Sequence, residues 1–97
     1  VYAADAQARM IYLRDKLARH YVDVADYYYR RQAYIGAANR CKEILENFYE
    51  TKYTEDAIEI MIKSYHKLGL TDLEERSREL MADNFPNNSY ASKSAFR

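Results

Sequence analysis

Ninety-seven residues make one small domain, able to bury roughly 60–65% of the surface its unfolded chain exposes. Its 15 Lys and Arg balance 15 Asp and Glu, which excludes the strong basic excess of a dedicated nucleic-acid binder. Two glycines and one proline imply long helices with short connections, and a single cysteine excludes an internal disulfide.

From Ala6 the apolar positions run Ala6, Met10, Leu13, Leu17, Tyr21, Val24 and Tyr28, in steps of three and four that keep one stripe on a helix. No Gly or Pro intervenes before Gln32, so the pattern predicts one helix over about 4–31, roughly 40 Å long. That length implies more than one packing partner. A second helix is predicted over about 33–48, with Tyr34, Ala37, Cys41, Ile44, Leu45 and Phe48 on one side. Thr54 is expected to cap a third helix, its hydroxyl accepting from a free backbone N–H while Glu55 and Asp56 face the positive helix end. The inner face of that helix reads Ile58, Met61, Ile62, Tyr65 and Leu68, and Gly69 stops it. Thr71-Asp72-Leu73-Glu74 has the pattern of a capping box and opens a fourth helix to about Asn84, striped by Leu73, Ser77, Leu80 and Met81. Pro86 prevents continuation. The polar tail 87–97 is expected to fray unless Tyr90 or Phe96 docks. No run of 18 apolar residues occurs, and the start lacks the layout of a signal peptide. The chain opens inside a helical pattern and reads as a piece of a longer protein.

The charge is unevenly spread. Residues 1–42 carry a net of +4, residues 43–83 a net of −6, and the tail +2. Such a split suits partners read by charge, although solvated helix faces sort this way as well.

The most specific signal is internal. Glu46-Asn47-Phe48-Tyr49-Glu50-Thr51-Lys52-Tyr53 reappears as Asp83-Asn84-Phe85-Pro86-Asn87-Asn88-Ser89-Tyr90, an offset of 37, which also maps Tyr28 onto Tyr65 and Val24 onto Met61. A repeated helix pair with this period marks a helical solenoid. The chain resembles the tetratricopeptide repeats. Ala25 and Ala37 stand at that family's small positions, Tyr28 and Tyr34 at its aromatic ones, and Tyr65, Gly69 and Pro86 at its aromatic, turn and proline positions. Tyr49 departs from the proline, while Ile62 and Glu74 replace small residues. Those two departures predict a looser terminal repeat facing solvent. The expectation is an all-α, right-handed α-solenoid of tetratricopeptide-type hairpins with an overlong first helix. Repeat units fall at about 17–53 and 54–90, the repeat domain covers 1–86, and 87–97 form a tail.

A closer resemblance rests on Leu17-Ala18, Val24-Ala25-Asp26-Tyr27-Tyr28, Arg31-Gln32-Ala33-Tyr34 and Ala37-Ala38-Asn39-Arg40. Together they look like the C-terminal half of the BamD/ComL family, lipoproteins of the outer-membrane β-barrel assembly machinery in Gram-negative bacteria. Gln32 stands where that family has glycine, and Tyr21 where Glu is common. The resemblance spans about residues 5–90. It implies a lipid-anchored parent on the periplasmic face of the outer membrane, with an anchor this fragment lacks. It also implies scaffolding: docking to a POTRA domain of BamA, with accessory lipoproteins of the machinery as further partners. A cytosolic tetratricopeptide adaptor that holds a peptide in its concave groove is the rival reading.

No catalytic constellation stands out. His20, His66 and Cys41 lie on three different helices, no phosphate-binding glycine loop occurs, and no metal-ligand spacing is present, so neither an enzyme nor a cofactor is expected. Cys41 reads as a small core residue, and the carboxylates as solvated charges. The partner-binding candidates are Arg30, Arg31, Arg40 and Tyr27. Arg30 and Arg31 end the long helix, where cations also offset its negative pole. Tyr27 neighbours Tyr28 and must point elsewhere on the helix. Arg40 lies mid-helix and holds the Arg of the family's Asn-Arg pair. The resemblance implies that it meets a carboxylate on the POTRA domain. Cutting away earlier repeats would bare apolar surface on the long helix, so self-association or lowered stability is expected.

Overall fold

The computed structural model describes residues 2–49 and 51–91. Its helices follow in order as α1 (Tyr2–Arg30), α2 (Tyr34–Asn47), α3 (Thr54–Leu68) and α4 (Thr71–Asn84), with a short 3-10 turn at Ser89–Ala91 and no strand among the described residues. Each helix packs on the next, α1 also reaches α3, and the 3-10 turn returns to α4. The connections are short enough to make neighbouring helices into hairpins.

The offset of 37 reappears in the backbone hydrogen bonds. At the end of α1, Ala33 N–H donates to the Tyr28 carbonyl (2.9 Å) and Gln32 N–H to the Tyr29 carbonyl (3.0 Å). At the end of α3, Leu70 N–H donates to Tyr65 (3.0 Å) and Gly69 N–H to His66 (3.1 Å). Both are Schellman turns, which need a left-handed residue at C′. Gly69 supplies it at φ 73° and Gln32 at φ 66°. The ends of α2 and α4 also match: Phe48 N–H donates to Ile44 and Phe85 N–H to Met81, while the Asn47 and Asn84 amides reach back to the Glu43 and Leu80 carbonyls.

Two helix starts differ from expectation. Tyr53 is the N-cap of α3, and the Thr54 hydroxyl donates to the Tyr49 carbonyl, with the Thr51 and Phe48 carbonyls also within reach, instead of capping the helix. Buried in the α2–α3 connection, it ties the loop down. Leu70 is the N-cap of α4 and no side chain caps it. Thr71 lies inside the helix, and Glu74 turns to Arg78, which offers charge where a capping box offers a neutral N–H, and to His66.

The core has two parts. Ala25, Ala37, Ala38, Cys41, Ile44, Ala57, Ile60, Met61 and Tyr65 fill the space among α1, α2 and α3. Ala25, Ala37, Cys41 and Ala57 are wholly buried, and their small side chains let the helices approach closely. Ile58, Ile62 and Met81 form the second part between α3 and α4, covered by Leu45, Leu80, Phe85 and Tyr90. Each fully buried isoleucine there stabilises the fold by about 1.5–3 kcal/mol. Ile62 is thus enclosed and Glu74 mostly covered, so the second hairpin is not opened toward solvent by either departure. Tyr90 docks, which holds the chain down to Ala91; Phe96 lies outside the described residues.

Candidate functional site

The corner where α1 turns into α2 gathers most of the candidates. Tyr28 leaves α1 toward α2, and its ring lies 3.6 Å from where a Cβ on Gly36 would sit. The Arg40 guanidinium rests 5.9 Å from the centre of that ring, and its Nη1 donates to Glu43 Oε1 at 2.7 Å. Hydrogen bonding to the Tyr28 side chain, followed by attraction to Glu43, moves the Arg40 pKa further up, so the cation is permanent. On the neighbouring face Arg31 covers the Tyr27 ring at 4.8 Å, and the Tyr27 and Tyr28 rings meet edge to face at 6.1 Å. Arg31, Tyr27, Tyr28, Arg40 and Glu43 therefore form one chain of contacts along the surface. Rings beneath the guanidinium groups hold the cations in place without neutralising them.

Arg30 stands apart. Its Nε pairs with Asp26 at 3.0 Å on an exposed flank of α1, a surface pair worth at most about 1 kcal/mol. Tyr27 is 49% exposed and free to add apolar area to a contact. The sequence reading missed Tyr28 and Glu43 as parts of this surface, although the spacing of Arg40 and Glu43 is that of a helical i, i+3 pair. It also missed buried Arg78, which Glu74 four residues earlier signals.

Elsewhere the titratable groups serve packing. Cys41 is wholly buried, and burial pushes its thiol up to about 12 despite Lys63 and the Met61 backbone, which pull the other way. His20 sits exposed against the edge of Tyr21, and His66 hydrogen-bonds Glu74 at 3.1 Å. Among the described residues no three of His, Cys, Asp and Glu converge as a metal ion requires. No described helix is long and apolar enough to cross a membrane.

Successive helical hairpins and repeated turns define a helical-repeat segment with an exposed corner of ring-supported cations. The chain matches the family described as YfiO, outer membrane lipoprotein, over residues 1–81. It is 44% identical over 85 residues to the outer membrane protein assembly factor BamD of Neisseria meningitidis serogroup A, and 42% identical over 80 residues to BamD of Vibrio cholerae. Those alignments cover 88% and 82% of this chain but 32% and 33% of the relatives. BamD of Haemophilus influenzae is 37% identical over 83 residues, again 32% of its length. The chain belongs to the YfiO family of outer membrane lipoproteins, and it spans about a third of the length of the curated relatives it matches. Those relatives are named as outer membrane protein assembly factors.

Proposed function

We propose that the chain is a scaffold segment of the outer-membrane β-barrel assembly machinery, acting on the periplasmic face of the outer membrane and docking to a POTRA domain of BamA. Accessory lipoproteins of the machinery are its further partners. Family membership and the relatives' role as outer membrane protein assembly factors support this reading. The architecture that fits it is a right-handed α-solenoid with an overlong first helix. Its repeat domain covers 1–86, its units are 17–53 and 54–90, and 87–97 form a tail; the repeated turns support that division.

The observation that carries the docking face is the Arg40 guanidinium, held on the Tyr28 ring beside Glu43. A guanidinium has five N–H donors, so the Glu43 contact leaves donors for a partner carboxylate, which a fork geometry can bind bidentately. Arg31 on Tyr27 extends the same positive surface. Titrating the chain with the POTRA domains of BamA from its own organism tests the reading. Arg40→Glu is expected to weaken binding tenfold or more, about 1.4 kcal/mol. Unchanged affinity would move the interface off this corner, and no binding by the unsubstituted chain would overturn the POTRA reading.

A further inference from the structure

The three arginines around the α1–α2 turn keep different company. Arg30 pairs with Asp26 at 3.0 Å and Arg40 with Glu43 at 2.7 Å. Arg31 rests on the Tyr27 ring and forms no ion pair among the described residues. The Arg40–Glu43 contact lies within a single helix. Their i, i+3 spacing on α2 keeps the carboxylate beside the guanidinium, so the pair belongs to this chain whatever packs around it.

Arg40 does not need Glu43 to stay in place. The Tyr28 side chain hydrogen-bonds the guanidinium and sets its ring 5.9 Å away, and that ring is itself packed over Gly36. A phenol holds a cation without adding negative charge. Glu43 instead brings a full charge to Nη1, which is the chemistry a partner carboxylate would bring. The guanidinium has donors enough for both, but two carboxylates on one cation repel each other. The one on α2 is always at hand, whereas the other must arrive from solution.

We propose that Glu43 is an internal competitor for Arg40 and sets how tightly this corner takes an acidic partner. The proposal rests on the docking reading above. It makes Glu43 a specificity-determining residue: a partner carboxylate that engages the remaining donors as a fork outweighs the Nη1–Oε1 contact, while a single acceptor does not. Arg31, with no carboxylate of its own, attracts the partner without that discrimination.

The test is a calorimetric titration of the full chain and its variants with the POTRA domains of BamA, far-UV circular dichroism confirming that each variant stays folded. Glu43→Gln keeps an acceptor but removes the charge, and should tighten binding about two- to fivefold, the range that loss of a surface ion pair allows. Glu43→Ala removes both and should tighten it at least as much. In an Arg40→Gln background, Glu43→Gln should change the affinity by less than about 1.5-fold, because no guanidinium is left to compete for. Weaker binding by Glu43→Ala, restored in Glu43→Gln, would make Glu43 a support for Arg40 and overturn the proposal. Equal tightening in the Arg40→Gln background would overturn it too, since Glu43 would then repel the partner at a distance. If Arg40→Gln weakens binding and neither Glu43 variant alters it, the proposal falls and the docking face stands. If Arg40→Gln leaves the affinity unchanged, the docking face falls and the proposal with it.

Discussion

Gln32 holds a conformation that costs any residue with a Cβ. Its φ of 66° lies in the left-handed region, where the Cβ crowds the following carbonyl at about 1–2 kcal/mol. The turn tolerates it because two hydrogen bonds, from Gln32 and Ala33 to the last turn of α1, fix the geometry. Gly69 fills the equivalent place 37 residues on without that cost, and a Cβ there would meet nothing within 4 Å. Gln32→Gly is therefore expected to stabilise the chain by roughly 0.5–1 kcal/mol, the strain relief being offset in part by the looser unfolded chain that glycine brings. A urea titration with an unchanged slope and a higher midpoint would show it; a lower midpoint would mean that the Gln32 side chain contributes more than its backbone strain removes. At this scale Gly69 was legible, since glycine itself advertises C′. No property of glutamine marks Gln32 as left-handed; the signals were the repeat offset that aligns it with Gly69 and the glycine that the resembled family has at this place.

Helix α4 shows where a local pattern was outcompeted. Glu74 fits a capping box with Thr71, yet its carboxylate accepts from Arg78 Nε at 3.0 Å with Nη2 at an ion-pair distance of 2.9 Å, and His66 Nδ1 lies 3.1 Å away. Arg78 is 5% exposed at its side chain and also donates to the Tyr90 carbonyl at 3.1 Å. It thereby ties the 3-10 turn to the helix. The i, i+4 spacing was visible in the sequence, but burial of an arginine on a stripe read as Leu73, Ser77, Leu80 and Met81 was not. Burial alone would raise the Glu74 carboxyl, but hydrogen bonds from Arg78 and His66, with their charge, outweigh it and leave the pKa below that of an ordinary glutamate. A carboxyl that titrates lower in the folded chain than in the unfolded one contributes fully above the unfolded value. Its contribution disappears as the pH falls through the folded value. Glu74→Gln should thus cost roughly 2 kcal/mol at neutral pH, less than the loss of a fully buried partner because Arg78 keeps the Tyr90 carbonyl. The gap to the unsubstituted chain should close as the pH drops below the normal glutamate range, which melting temperatures followed across an acid series would reveal. A gap that stays constant with pH would mean that packing, and not charge, holds Glu74 in place.

The molecule as a whole is elongated, 51 × 28 × 17 Å, with a radius of gyration of 14.6 Å where a compact chain of this length would have about 12.5 Å. The excess comes from α1, whose residues 3–14 are all exposed while its second half carries core residues such as Ala18 and Ala25. The helical stripe was legible along the whole of α1, because periodicity reports which face is apolar. What periodicity does not report is which stretch of that face is covered, since the cover for Met10 and Leu13 is not among the described residues. A helix held by its own backbone alone is marginal, so this half should open locally at little cost. Backbone amides of residues 7–13 are expected to exchange with deuterium orders of magnitude faster than those of residues 22–30. Deleting residues 1–10, which leaves Ile11 and Arg14 beside the α2–α3 connection, should lower the melting temperature by less than about 4 °C. That bound follows from removing under roughly 0.5 kcal/mol from a chain in which 1 kcal/mol moves the midpoint by about 4–8 °C. A larger fall, or protection that runs evenly along α1, would mean that its first half folds as one unit with the core and is not a projecting arm.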